Sequence, residues 1–194
     1  MELSDALRRR RMVRAFRPDP VDPAALDRIL DAGRRAPSAG HTQGWAFVVL
    51  EGPEQTGLYW ATTLPAAKRP SFPWPRLLDA PVLVVPCARP QAYVDRYAEA
   101  DKAATGLGTG EDAWPVPYWF VDSGMAAMAM LLAAVDEGLG ACFFGIFHHE
   151  AALKADLGIP DDVRPIGTIA IGHPADGDRP SHSVARGRRD RDDV

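Results

Sequence analysis

Two stretches of the chain carry residues whose types and spacing suit ligand chemistry. The first is Arg8-Arg9-Arg10-Arg11-Met12-Val13-Arg14. Arg10, Arg11 and Arg14 are close enough in it to surround one phosphate with forked donors, whereas a merely solvated helix face usually mixes Lys and Glu into such a run. A second basic cluster, Arg186 to Arg191, lies far along the sequence, and two basic segments on an acidic protein suggest one shared anion. The second stretch is A-P-S-A-G-H-T-Q-G-W, residues 36–45. Pro37 ends what precedes it, Ser38 can bond local backbone, and Gly40 relaxes the dihedral limits, so main-chain N–H groups should be left free to point at a ligand. With His41, Thr42 and Gln43 such a loop can grip a planar polar group; an ordinary helix-to-strand connection has the same composition. His148 and His149 are adjacent, diverge in direction and have no further ligands at useful spacing, so no metal site is expected. Cys87 and Cys142 form no CxxC, and neither a disulfide nor zinc is expected.

The elements that must position these residues can be read from composition and pattern. The chain has 194 residues, 46% hydrophobic and 25% charged, which fits one domain over 1–194 with a sizeable core. A net charge of -4 argues against general nucleic-acid binding. No secretory signal is expected at the start, and the apolar run 124–135 is too short to span a membrane, so a soluble, cytoplasmic protein is expected. A short capped helix leads into the arginines. Asp22-Pro23 then opens an amphipathic helix with Leu26, Ile29, Leu30 and Gly33 on its inner face. Continuous apolar runs at 45–50 and 82–87 predict strands covered on both faces, and 166–171 reads as the last core strand. Residues 59–78 are rich in Pro and aromatics without sustained periodicity, which reads as a lid or an irregular surface excursion. Residues 89–104 are compatible with a helix carrying Tyr93, Tyr97 and Ala100 on one side, and 106–117 form a Gly/Pro-rich loop around Trp114. Residues 121–137 read as a helix apolar all round and buried at its full circumference. Its small residues, Gly124, Ala126, Ala127 and Ala133, suit tight packing, in the core or across a dimer interface. Glu150 to Asp156 forms a last short helix.

In order along the chain, R-R-x-V-R-x-F, P-V-x-x-x-x-L-x-x-I-L-x-A-x-R-x-A-P-S-A-G and Q-x-W-x-F-V-V are followed by G-L-G-A-C-F-F-G-I-F and L-G-I-P-D-D-V-R-P-I-G-T-I-A-I-G-H-P. This succession resembles the FMN-dependent nitroreductase superfamily over nearly the whole chain, apart from 58–78 and 89–117. The resemblance implies an α+β fold, a mostly antiparallel sheet between helices, in a homodimer with FMN at the interface. It implies phosphate or ribityl roles for Arg10, Arg11 and Arg14, and flavin contact by Pro37, Ser38, Ala39, His41 and Gln43, commonly from the partner subunit. Phe144, Gly145 and Ile146 would lie along the reactive edge of the flavin, which backbone N–H groups can tune without an ionisable side chain. Arg186 and Arg188 would return to the phosphate, in a tail shorter than usual with Asp190 where Pro is frequent. Three positions depart from the pattern. Met12 stands where Ser is usual, so that only its backbone can contribute; Gly44 replaces a common Pro; and His41-Thr42 resembles the iodotyrosine deiodinase branch. The implied chemistry is ping-pong hydride transfer from NADPH or NADH through flavin N5 to an electron-poor acceptor, nitroaromatic or quinone-like, with no catalytic side chain. A flavin-sequestering protein, a reductive dehalogenase and a deazaflavin-linked reductase share these motifs, and an interaction protein using its basic ends needs no flavin. The residues that separate the readings would lie in the two divergent excursions.

Overall fold

A computed structural model describes residues 1–193. Three of the five strands among the described residues fall on the runs read as strands in the sequence, and the other two lie outside them. β1 (Trp45–Glu51), β2 (Val82–Ala88), β5 (Thr168–Gly172) and β3 (Gly140–Phe144) lie side by side in that order, each pair antiparallel, and the short β4 (Arg164–Pro165) pairs with the end of β2. Side chains alternate across the sheet: Val82 and Val84 enter one core, Leu83, Val85 and Cys87 the other. Both faces are covered, which is why β2 reads as unbroken hydrophobic sequence.

The first core packs the sheet against α2 (Pro23–Arg34) and α5 (Tyr118–Asp136), with Ile29 and Met130 fully buried between them. Asp22 caps α2 by accepting from the Ala24 N–H at 3.2 Å, with Pro23 at the first helical position. The second core lies under α3 (Gly52–Thr63) and α6 (Glu150–Leu157) and contains Tyr59, Trp60 and Leu153. A satellite cluster joins Ala88, Tyr93, Trp114 and Trp119 beside α4 (Pro90–Ala98).

The structure corrects several expectations. The leading helix α1 (Leu3–Arg9) forms, but Ser4 lies inside it and Glu2 stands at the N-cap without a side-chain cap. The stretch 59–78 begins as helix, because α3 continues to Thr63. Its buried side is carried by Thr56 and two adjacent aromatics, which leaves no stripe for periodicity to reveal. Only the remainder is irregular, with 3-10 turns at Ala66–Ser71 and Pro75–Leu77. α4 stops at Ala98, and Ala100 lies beyond it, exposed. The last strand starts at Thr168 rather than Ile166, because Gly167 turns at φ 153°, where a Cβ would sit 2.5 Å from the Phe143 ring. α5 is not buried all round: the sheet and α2 cover one side, and Tyr118, Val121, Met125 and Met128 stay exposed on another. At 19 residues and mean hydropathy 1.5, α5 is long and apolar enough to cross a membrane by length and composition, more so than the run 124–135. Of its most apolar 18 residues, 44% are buried inside the fold.

Candidate functional site

The arginine run becomes a site because the chain after α1 is stitched to the sheet edge. Val13 N–H donates to the Ala141 carbonyl at 3.0 Å, and Met12 bridges to Ala141 in parallel. The tail after β5 comes back along the same segment, Arg17 N–H donating to the His173 carbonyl and Ala175 N–H to the Ala15 carbonyl, both at 2.9 Å. Residues distant in sequence thus face one cleft of 470 Å³, lined by Arg10, Arg11, Met12, Arg14 and Arg188, with Asp178, Ser181 and Ser183. Four arginines and one aspartate line it. Asp178, its side chain only 4% exposed, accepts from Arg11 Nη1 at 2.6 Å and from the Arg14 N–H at 2.8 Å. Arg186 does not line the cleft; it ends an exposed 3-10 turn, His182–Arg186. Met12 turns its sulfur inward, where it accepts from the Phe143 N–H at 3.3 Å, while its carbonyl accepts from Arg14 Nη1 at 3.0 Å. Met12 thus serves as a packing anchor whose carbonyl is engaged by Arg14.

A second cleft, of 360 Å³, adjoins the first at Arg14. Its walls are rings: Trp60 stacks on Phe144 with centroids 5.7 Å apart and planes 11° from parallel, and Tyr59 meets Trp60 edge-on. Phe144, Gly145 and Ile146 form one side where β3 ends, and Trp74 of the irregular excursion forms another. The guanidiniums of Arg14 and Arg179 both lie over the Trp74 indole, 5.1 and 5.2 Å from its centre. Burial pushes the Cys142 thiol up to about 11 and the Tyr59 phenol up to about 12, so neither ionises near neutral pH. The cleft has no carboxylate in its lining; His148 and His149 stand at its edge beside Phe147. Among the described residues no group of three or more His, Cys, Asp or Glu is placed to hold a metal ion.

The loop after α2 lines neither cleft. It is fastened instead to α4 and α5: the Ala39 N–H donates to Asp122 Oδ2 at 2.8 Å, Tyr93 Oη donates to the same oxygen at 2.7 Å, and Arg96 Nε donates to the Gly40 carbonyl at 2.9 Å. Most of the main-chain donors expected to be free are engaged. His41 N–H goes to the Ser38 carbonyl, Thr42 N–H to the Ala39 carbonyl and Gln43 N–H to Ser38 Oγ, because the loop winds into a 3-10 turn over Ala39–His41. Its exposed polar side chains are those of His41 and Gln43, 3.0 Å apart, on residues held at φ 55° and 52°. Backbone strain of this kind gathers at ligand sites. Pro37 is exposed and Ser38 half-buried. Sequence reasoning did not single out Asp178, Asp122 or Trp74 as site residues; only the unbroken apolar surroundings of Asp122 could have marked it.

Known proteins share this fold. A solved nitroreductase family protein from Clostridium novyi superimposes with a TM-score of 0.70 at 25% identity, over 91% of this chain and 87% of its own. A provisionally assigned nitroreductase from Desulfovibrio desulfuricans, solved in complex with FMN, has the same fold at TM-score 0.71 and 24% identity, over 100% of this chain and 94% of its own. Among curated sequences, a provisionally named NADH dehydrogenase/NAD(P)H nitroreductase of Methanothermobacter thermautotrophicus is 28% identical over 182 residues, covering 91% of this chain and 79% of the relative. An NADH dehydrogenase of Thermus thermophilus is 29% identical over 200 residues, covering 95% and 92%. A sequence profile matches residues 7–173, from the arginine run to the end of the last strand, and by that match the chain belongs to the nitroreductase family.

Proposed function

We propose that the protein is an FMN-dependent oxidoreductase that draws reducing equivalents from NADPH or NADH and passes them to a flat, electron-poor acceptor of nitroaromatic or quinone type, the two substrates using the site in turn. The observation that carries the reading is the meeting at Arg14 of two unlike clefts, one lined by guanidiniums and one by stacked rings. FMN has the same two halves, a phosphate ester and a flat tricyclic ring. The donor set fits it: planar guanidiniums match phosphate oxygens in pairs, and at the far side Gly145 carries no side chain to cover the main chain. Bound FMN would supply the two-electron chemistry itself.

The chain's own residues would bind, orient and shield. Arg10, Arg11, Arg14 and Arg188 would hold the phosphate, with the Met12 main chain beside them; of the two tail arginines this reading uses Arg188. Phe144, Gly145 and Ile146 would offer main-chain donors along the ring edge. Because Tyr59 and Cys142 stay protonated, the ring cleft presents no ionised nucleophile to a substrate at neutral pH. Pro37, Ser38, Ala39, His41 and Gln43 would serve the partner's flavin in a homodimer. Support for that comes from the loop's position outside both clefts of its own chain, its rigid fastening, and the exposed apolar side of α5. The FMN complex of the Desulfovibrio protein and the nicotinamide names of the curated relatives favour the same cofactor and donor.

The test is an absorbance spectrum of the purified protein with and without added FMN, followed by anaerobic addition of NADPH or NADH. The expected result is a bound flavin that bleaches, then recovers its colour when a nitroaromatic or a quinone is added. A bound flavin that stays yellow with either nicotinamide removes the donor from the reading. A protein that binds no flavin at all overturns it.

A further inference from the structure

The residue that follows the ring-edge segment is at odds with ordinary packing. Phe147 has φ 50°, in the left-handed region that bulky side chains rarely adopt. It is also 83% exposed, the most open large apolar side chain among the described residues, so burial does not offset the backbone strain. The end of its ring rests on Gly145: a Cβ built there would lie 2.6 Å from Cζ and 2.8 and 2.9 Å from the two Cε atoms. Any side chain at 145 would displace the ring. The same ring stands at the ring-walled cleft beside Phe144 and Trp60. Two features that a folded chain ordinarily avoids, a strained φ and a bare phenyl, therefore meet in one aromatic ring that lines the cleft and rests on a residue with no side chain.

We infer that Phe147 is a capping ring that stacks on a planar aromatic ligand seated against the Gly145 main chain. The inference rests on the proposed flavin site. The ligand's ring belongs either to the flavin or to the acceptor, which share the chemistry a phenyl face recognises, and the arms of the test tell them apart. A stacked aromatic pair contributes a factor of roughly three to ten in affinity.

The full-length protein and its Phe147→Ala, Phe147→Gly and Phe147→Tyr variants are titrated with FMN; each FMN-loaded, oxidised protein is then titrated with 4-nitrobenzoate. Thermal unfolding and oligomeric state are measured on the same samples. Ala and Gly are expected to weaken one of the two ligands roughly three- to tenfold, and Tyr, which keeps the ring, to restore it to within about twofold. If FMN is weakened the capped ring is the flavin's, and if only 4-nitrobenzoate is weakened it is the acceptor's. Phe147→Gly should keep its Tm to within about 2 °C, because glycine adopts this φ without strain and little packing is lost. Unmoved affinities for both ligands, failure of Tyr to rescue, a fall in Tm of more than about 5 °C in the Gly variant, or separation of the subunits in these variants would each overturn the inference. Wild-type protein that binds no FMN overturns it together with the proposed function; wild-type binding with unmoved variants overturns it alone.

Discussion

At the scale of single residues, the informative group is the one whose charge opposes its surroundings. Asp178 places a carboxylate, 4% exposed, among four arginines and holds both Arg11 and the Arg14 N–H. A phosphate entering that cleft meets a fixed like charge and a guanidinium already engaged. Asp178→Asn keeps an oxygen for the Arg14 N–H and removes the charge, so FMN affinity should rise, by on the order of 1 kcal/mol or about fivefold. Arg188→Ala should act in the opposite direction. Isothermal titration of both variants with FMN, using riboflavin as the phosphate-free control, checks the sign. The arginines were legible because a run without Lys or Glu is unusual by itself; Asp178 was not, since it meets Arg14 across 164 residues and nothing in D-G-D-R-P marks it. The two cysteines make a second residue-scale prediction. Burial pushes the Cys87 thiol up to about 12 and Cys142 up to about 11, from an ordinary value of 9.0. Below pH 9 both folded and unfolded chains keep these protons and stability is untouched. As pH rises from 9 toward 11 the unfolded chain releases protons that the folded chain retains, so stability falls, by about 1.4 kcal/mol per pH unit for each thiol. Urea melts across the alkaline range should show that loss, and the Cys87→Ala/Cys142→Ala double variant should have the flatter slope.

At the scale of elements, the loop between α2 and β1 is the part most shaped by its neighbours. Asp122, 1% exposed in the first turns of α5, receives both the Ala39 N–H and the Tyr93 hydroxyl, and burial with that carboxylate bond pushes the Tyr93 pKa up. Tyr93 also explains why residue 44 is glycine: a Cβ there would sit 2.4 Å from the ring. One loop is therefore locked to two helices through one carboxylate. Asp122→Asn leaves a weaker acceptor shared by two donors and should cost about 1–3 kcal/mol. Hydrogen exchange should speed up first at residues 39–43, ahead of the sheet; uniform acceleration across the chain would mean that Asp122 stabilises the whole fold and not this loop. The boundaries of α2 and β1 were readable because a cap, a proline and an apolar run each act within a few residues. The fastening of the loop was not, because it joins three elements, and a lone Asp inside an apolar helix reads as a boundary rather than a buried acceptor. α3 was obscured differently: its inner face is built from the volume of Tyr59 and Trp60 and not from a repeating stripe.

At the scale of the whole molecule, the side of α5 turned away from α2 and the sheet remains unexplained by the single chain. Tyr118, Val121, Met125 and Met128 are 43%, 42%, 37% and 36% exposed and recur at intervals of three, four and three residues, which aligns them along one helix face. Gly124 lies within this stretch, and a Cβ added to it would touch nothing. Mid-helix glycine costs about 0.5–1 kcal/mol relative to alanine, and here nothing in the chain needs its small size. A second copy approaching closely would need it. The stripe, the bare glycine and a loop that lines neither cleft of its own chain would all find their use in the proposed homodimer, with an interface of about 800 Å² or more on each subunit. Light scattering should give a dimer for the wild type at micromolar concentration. Met125→Glu places a charge at a position already solvent-exposed in the single chain, so the monomer should fold with unchanged circular dichroism while the dimer dissociates, weakened by roughly a hundredfold or more. If the loop of one subunit serves the flavin of the other, the monomeric variant should lose FMN affinity although every residue of the arginine cleft is intact. A monomer that holds FMN as tightly as the wild type would return the flavin site to a single chain and leave residues 37–43 without a ligand.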